Sequence, residues 1–580
     1  MTETEPATKP GIRAFFEKSA LVMFGLGFAA GMPNQLAGAA LAIWMREAGI
    51  SLALLALLGL ATLTYSLKFL WAPIVDRVAL PFLDKKFGRR RSWMIFTQAM
   101  VMFGLFVIST MDPATNIVAF AAVATLIAFA GATQDIAIDA WRIEVSPSNE
   151  TLGVLTATYQ WGYRIAILVS GALPLFIAQY YNGDDYKQFG WSMAYVAMAA
   201  LMIVPIIASL AAPRELAAPA PRWVAPEDIP SRPVFEVLEW VARLGVLALG
   251  AAFLAAGLSG KHLPISWLVG GLYGGIEAMA TSFEAKPWGV WQQVGSAAIG
   301  LFMVYLACRP IPNVRTKPGA YFQSALGEPL ADFFKRYENT ASLILVFICC
   351  YRIADFLLNI ASALYLDAGF SKDEIAIAQK GFGVVMSAIG AGLGGWSILR
   401  FGLFKSLIVG AFLQPISNVS FALVTIFGST AFPALNSIGV QPMLWLAIGI
   451  DNVSALYAGT CLVVYMSKLT KEGFTATQYA LFSSLYSLPG KLISAMSGRV
   501  VEGAAIAAHS GWLSFLKPAF AKLPANSFAE PAKKLGIDAQ SLAAGYTAFF
   551  FYTAALGVFA ILLAFLVSRG KPKALVERDD

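Results

Sequence analysis

Between residues 20 and 567 one long apolar run follows another, and no other feature restricts the fold as tightly. A helix needs about 20 apolar residues to cross the hydrocarbon core of a bilayer. Runs of that kind lie near 20–44, 52–72, 93–111, 116–139, 154–179 and 191–212. A second set lies near 341–364, 375–396, 403–427, 441–465, 476–499 and 541–567, and between the two sets stand runs near 236–258, 264–283 and 288–308. The runs are continuous and do not alternate in pairs, which predicts helices and argues against an outer-membrane barrel. Composition agrees: 58% of the 580 residues are hydrophobic and 13% are charged, against roughly a quarter charged in a soluble domain.

Basic residues in short loops set orientation. Lys9, Arg13 and Lys18 precede the first span; Arg77, Lys85, Lys86, Arg89, Arg90 and Arg91 lie between the second and third; MDPATN, between the third and fourth, has none. Arg214, Arg222 and Arg232 follow the sixth span, and Arg569, Lys571, Lys573 and Arg578 follow the last. Bases on alternate sides predict that both termini are cytoplasmic and that the long 502–540 loop is extracytoplasmic. The base-rich stretch 309–340 also reads as cytoplasmic, so the middle region crosses an even number of times. We expect 236–258 and 288–308 to cross and 264–283 to be interfacial or re-entrant, about 14 spans in all. The net charge of +7 is explained by this topology and not by nucleic acid. The polar, mixed-charge N-terminus lacks the pattern of a cleaved signal peptide.

The expected layout is all-α: a cytoplasmic N-terminus (1–19), a six-helix bundle (20–212), a connector with inserted membrane helices (213–340), a second six-helix bundle (341–567) and a cytoplasmic tail (568–580). Two six-span halves joined by a basic connector suggest the major facilitator architecture. The loop DRVALPFLDKKFGRRR resembles that superfamily's loop motif, with extra residues between Asp76-Arg77 and Gly88-Arg89-Arg90 and with Ala72 in place of the usual glycine. The resemblance gives Asp76, Arg77, Arg89 and Arg90 a gating role.

Charges inside spans are costly and are functional candidates by default. In ATQDIAIDAWRIE (132–144), Asp135, Asp139 and Arg142 are spaced by four and then three, which places them on one helix face. Arg352, Asp355 and Asn359 are likewise spaced by three and four. Asp451 and Asn452 fall midway along the tenth of the twelve core spans, Gln160, Trp161, Tyr163 and Arg164 in the fifth, Gln35 in the first, and Tyr486 and Lys491 in the eleventh. The plain alternative is that these charges pair to hold helices together. Asp135, one turn deeper than Asp139, is the better proton-site candidate, while Asp139 and Arg142 suit a gate latch. Lys68 and Lys380, near span ends, read as snorkelling or gating residues. A cavity with charges of both signs suits a polar, anionic solute carried with protons, because arginines grip carboxylates and a carboxylate away from water can exchange a proton near neutral pH.

Enzymatic readings find little support. Only His262 and His509 are present, both outside the core spans, and Cys308, Cys349, Cys350 and Cys461 form no CxxC pair, so no metal site or catalytic residue is assigned. SLPGKLIS lacks the remaining elements of a phosphate-binding loop. No cofactor is expected beyond protons as the coupling ion.

QDIAIDAWR (134–142) resembles the fourth-helix signature of the AmpG muropeptide permeases. YRIADFLLNIASALYLDAGFSKDEIAIAQKGFG (351–383) is similar to their seventh-to-eighth helix region, DNVSALYAGTCLVVYMSKLTKEGFTATQYALFSSL (451–485) to their tenth-to-eleventh, and Gly162-Tyr163-Arg164 to the GYR of their fifth. Acetyl-coenzyme A transporters are distant relatives. The resemblance implies a monomeric permease of the bacterial inner membrane. It would import anhydromuropeptides from periplasm to cytoplasm with protons, feed peptidoglycan recycling and influence β-lactamase induction. It also implies that Gln134, Asp135, Asp139 and Arg142 are function-critical.

On these combined grounds Asp135, Asp139, Asp355 and Asp451 are expected to serve proton coupling, and Arg142 and Lys380 to join the gate. The expected substrate residues are Gln35, Gln134, Gln160, Trp161, Tyr163, Arg164, Tyr351, Arg352, Asn359, Gln478, Tyr479 and Tyr486. Two departures stand out. Ile353-Ala354-Asp355-Phe356 replaces a run with smaller neighbours, and Asp451-Asn452 stands where Glu-Asn is common. A carrier of another anionic solute, such as an acyl-coenzyme A or a siderophore-like molecule, and a lipid scramblase or membrane acyltransferase are the competing readings.

Overall fold

The computed structural model describes residues 12–50, 63–183, 186–215, 227, 229–262, 264–266, 282–284, 289–427, 441–494, 497–524 and 527–570. Among them every regular element is a helix. In the first half these are α1 (Lys18–Leu36), α2 (Ala39–Glu47), α3 (Arg89–Ser109), α4 (Ile117–Glu144), α5 (Asn149–Asn182), α6 (Gln188–Leu201) and α7 (Ile203–Ala211). The inserted pair is α8 (Pro233–Ser259) and α9 (Gly289–Cys308). The second half holds α10 (Ala341–Cys350), α11 (Gly383–Phe401), α12 (Leu403–Phe427), α13 (Pro442–Lys468), α14 (Thr475–Ser494), α15 (Ser497–Ser510) and α16 (Ala539–Arg569).

Twelve helices of described residues are long and apolar enough to cross a membrane, and the chain is a multi-pass membrane protein. They coincide with twelve of the expected spans, the inserted pair among them. The second expected span lies partly on 51–62, outside the described residues, and continues as Thr64–Arg77. The eleventh is α14, rich in Ser, Thr and Tyr. The stretch 264–283 lies mostly outside the described residues.

Local chemistry fixes where these helices begin. Asn116 accepts from the amide of Ala119 and Ser148 from that of Thr151, which satisfies end groups that have no helical partner. Small residues then let backbones approach. A Cβ added at Gly31 of α1 would sit 2.7 Å from the Tyr163 carbonyl of α5, so α1 and α5 pack backbone to backbone in the way bilayer-embedded helices do. That close packing fixes the depth of Tyr159 and Tyr163.

α8 and α9 pair through Gly250, Gly257 and Gly300. A buried ion pair ties their ends to the connector: Arg243 lies 2.7 Å from Glu239 and donates to the Ala307 carbonyl at 2.5 Å, and the Thr316 hydroxyl donates to Glu239 at 2.9 Å.

In two spans the helix is interrupted at a charged residue of the interior. The second changes to a 3-10 turn at Lys68–Leu70 between Thr64–Leu67 and Ala72–Arg77. The seventh stops at Cys350, turns at Tyr351-Arg352, resumes over Ile353–Phe356, tightens to 3-10 over Leu357–Ile360 and resumes again over Ala361–Asp367. This corrects the single α-helical face expected for Arg352, Asp355 and Asn359, because the break changes the rise and rotation between them. Broken helices lining a cavity near mid-membrane are a recurring device of transporters.

The halves meet along two seams, α5 against α11 and α13, and α14 against α4 and the Thr64–Arg77 segment.

Candidate functional site: a charged cavity between the halves

A cavity of about 700 Å³ lies between the seams. The first half contributes Asn34, Gln35, Tyr65, Ser66, Lys68, Asp135, Asp139, Arg142, Tyr159, Gln160 and Tyr163, and the second contributes Val463, Met466, Tyr479, Ser483, Tyr486 and Ser487. Tyrosines, amides and hydroxyls thus surround four charges. Flat rings that carry a hydroxyl, beside amides, suit sugars and acetamido groups, since they offer both an apolar face and hydrogen bonds.

The four charges form one network. Lys68 Nζ pairs with Asp135 and stands 3.5 Å from Asp139 Oδ2. The Tyr159 hydroxyl donates to Asp135 Oδ1 at 2.9 Å. Arg142 Nη2 is 3.1 Å from Asp139 Oδ1, and its guanidinium lies between the rings of Tyr159 (5.5 Å) and Tyr479 (5.3 Å). Two cations balance two carboxylates. Such a network is sensitive to protonation, because removing one partner of a buried pair costs about 3–5 kcal/mol.

A second cluster adjoins it through Tyr486. Arg352 pairs with Asp355, and its Nη1 donates to the Tyr486 hydroxyl at 2.9 Å. Asp451 Oδ1 and Arg164 Nε are buried with no hydrogen-bond partner among the described residues.

At the arginine-rich end of the bundle the halves are latched. Asp76 accepts from the amides of Ala476 (3.2 Å) and Thr477 (2.8 Å) and from the Thr477 hydroxyl (2.6 Å). Its charge thereby faces the N-terminus of α14, where the helix dipole favours an anion. Arg90 lies 2.7 Å from Asp76 and 2.5 Å from Glu144, Arg89 donates to the Asp76 carbonyl at 2.6 Å, and Arg77 donates to the Ser324 hydroxyl at 2.8 Å. The cavity is therefore closed at this end.

The structure brings Gln35, Asp135, Asp139, Arg142, Gln160, Tyr163, Tyr479 and Tyr486 to the cavity and places several other candidates elsewhere. Trp161 donates to the Ala388 carbonyl at 2.7 Å and stacks on Phe15 at 5.5 Å, so its ring is committed to the seam between the halves. Tyr351 donates to the Leu407 carbonyl at 2.8 Å inside the second half. Gln478 donates to the Pro329 carbonyl at 2.8 Å and accepts from the Lys471 amide at 2.8 Å, at the latched end. Gln134 is fully buried, its side-chain amide has no hydrogen-bond partner among the described residues, and it is outside the lining. Lys380 is exposed on a π-helical turn, Ile377–Phe382. The side chains of Asn359 and Lys491 lie outside the described residues.

From sequence Lys68 reads as a snorkelling or gating residue near a span end; in the structure it is 5% exposed and central to the network. The available signal was its position as the one charged residue in the run 52–72. Tyr65 and Tyr159 were missed as well.

The fold is the major facilitator fold: the structure of the proton:xylose symporter XylE, bound to 6-bromo-6-deoxy-D-glucose, matches with a TM-score of 0.50 at 12% identity, over 96% of this chain and 95% of that one. Residues 20–206 match the family model described as Acetyl-coenzyme A transporter 1. Within that architecture the AmpG resemblance extends along most of the chain. Anhydromuropeptide permease of Escherichia coli (strain K12) is 28% identical over 87% of this chain and 77% of its own length. A Rickettsia conorii protein that carries the AmpG name is 26% identical over 83% of this chain and 89% of its own.

Proposed function

We propose that this protein is a proton-coupled importer of anhydromuropeptides in the bacterial inner membrane. It works by alternating access as a monomer with both termini in the cytoplasm. The observation that carries the reading is the cavity itself, in which tyrosines and amides surround a balanced four-charge network built around Asp135. Similarity along most of the chain to an anhydromuropeptide permease supports the choice of solute.

The arginine-rich end is cytoplasmic under the positive-inside rule, so the latch at Asp76 closes the inward exit and the cavity faces the periplasm. Tyrosines and amides hold the disaccharide. Arg352, and Arg164 with its unpartnered Nε, offer guanidinium groups to the peptide carboxylates. A proton on Asp135 loosens its pair with Lys68 and prepares the network for opening. The Asp139–Arg142 pair, seated between Tyr159 and Tyr479, separates as the inner gate parts. Asp355 and Asp451 are the further acids through which coupling can pass. The imported muropeptide then enters peptidoglycan recycling, whose intermediates influence β-lactamase induction.

The test is uptake by Asp135→Asn in a mutant lacking its own muropeptide importer. Expression is expected to persist while acid-stimulated uptake disappears; uptake that keeps its pH dependence would refute the assignment. The family match over 20–206 favours one other solute class, an acyl-coenzyme A, and unlabelled acetyl-coenzyme A is expected not to compete with muropeptide.

A further inference from the structure

Lys68 is not needed for any step above except as a counter-charge, yet its placement is unusual. It sits on the 3-10 turn of a broken span, is 5% exposed and lines the cavity, and among the described residues its ammonium pairs with the carboxylates of Asp135 and Asp139. Arg142, by contrast, has its guanidinium flanked by two rings and 3.1 Å from Asp139, with Nε and Nη2 making no hydrogen bond among the described residues. An ammonium is a compact point charge whose donors can change partner without reorienting a plane, whereas a guanidinium fork is committed by its geometry.

We propose that Lys68 is the receptor for a carboxylate of the transported solute, masked by Asp135 and exposed when Asp135 takes a proton. The inference rests on the muropeptide reading and assigns one of its recognition contacts.

The charge count carries it. Lys68 and Arg142 balance Asp135 and Asp139, so the network is neutral and has no net attraction for an anion. One proton on Asp135 leaves an excess of one positive charge, and the cation freed of its partner is Lys68. An incoming carboxylate restores neutrality. The proton resides on the Asp135 carboxyl, the solute carboxylate takes that group's place against Nζ, and both leave together on the inward side. Binding of anion and proton are then mutually dependent, and by linkage each strengthens the other equally.

The other groups facing the pair are consistent with this. Tyr65, from the same span as Lys68, and Tyr159 and Tyr163, from α5, are neutral donors near Asp135. On the α14 side Tyr479 packs on Arg142. Asp139, 3.5 Å away, keeps Lys68 anchored when Asp135 is neutral.

The experiment measures equilibrium binding to the full-length protein in nanodiscs. The probes are radiolabelled N-acetylglucosaminyl-anhydro-N-acetylmuramic acid and its lactyl carboxamide, at mildly acidic and mildly alkaline pH. Wild type is expected to bind the acid more tightly at the acidic pH and the amide equally at both. Lys68→Gln is expected to bind the amide normally and to lose a preference for the acid of about tenfold, equivalent to about 1.4 kcal/mol. Asp135→Asn, which leaves Lys68 permanently unmasked, is expected to bind the acid tightly at both pH values. Retained acid preference in Lys68→Gln, or weakened acid binding in Asp135→Asn, overturns the proposal. If Lys68→Gln binds neither probe, Asp135→Asn alone decides. If wild type binds neither probe, the muropeptide reading falls and the receptor role falls with it. Normal wild-type binding with unaltered variants removes only the role of Lys68.

Discussion

Asp76 offers the sharpest prediction about the gate. It accepts three hydrogen bonds from Ala476 and Thr477 and a fourth contact from Arg90, all buried. Asp76→Asn keeps the shape and one acceptor oxygen and removes the charge. A hydrogen bond to a charged group contributes roughly 1.5–3 kcal/mol and a neutral one about 0.5–1.5, so losing the bonds to one oxygen and weakening those to the other should cost the latched state about 3 kcal/mol. Arg90 keeps Glu144 as its partner, which limits collapse of the surroundings. A change of about 3 kcal/mol shifts a two-state equilibrium by roughly 100-fold. The assay is a pulsed electron–electron distance measurement between spin labels at Ser148 and Glu472, which line the crevice where the two halves meet at this end. In a cysteine-free background with native Asp76, one short distance should dominate. Asp76→Asn should add a longer one as the major component. An unchanged distribution in a protein of normal thermal stability would refute the latch.

Other outcomes follow from the same packing. Arg243→Ala leaves Glu239 buried without its cation and should lower stability by about 3–5 kcal/mol, read as an earlier thermal unfolding transition in detergent. Gly31→Val, which adds side-chain atoms where even a Cβ would lie 2.7 Å from the Tyr163 carbonyl, should prevent α1 from docking on α5 and abolish the folded peak in size-exclusion chromatography. Asp538, the N-cap of α16, is outside the spans: burial raises its carboxyl slightly, but hydrogen bonds from Lys517, His509 and Ser541 outweigh this and hold it well below the usual carboxylate range. A depressed folded value means that its contribution is present above the ordinary carboxylate range and fades as pH falls toward the folded value. Asp538→Ala should therefore cost about 1 kcal/mol at neutral pH and progressively less in acid, checked by thermal melts against pH.

Much of the fold was legible because bilayer thickness and helical rise leave few choices. The twelve long apolar helices fall on expected spans, and the spacing of Asp135, Asp139 and Arg142 places them together along one unbroken helix, α4. Prediction failed where the backbone departs from a regular helix. The turn at Tyr351-Arg352 undid the assumed face. The 3-10 turn at Lys68–Leu70 directs Lys68 into the network when hydropathy alone put it at a span end. Trp161 and Gln478 were misplaced for another reason. Their partners, Ala388 and Pro329, lie 227 and 149 residues away, and no local pattern reports which half of the chain a side chain will meet.

The central claim, proton-driven muropeptide import, is tested most directly in proteoliposomes of the purified protein given radiolabelled anhydromuropeptide, with and without an imposed inward proton gradient. The account predicts accumulation above the external concentration only with the gradient, and its loss on addition of a protonophore. Equal uptake in both conditions would contradict the coupling, and no uptake by folded protein would contradict the substrate.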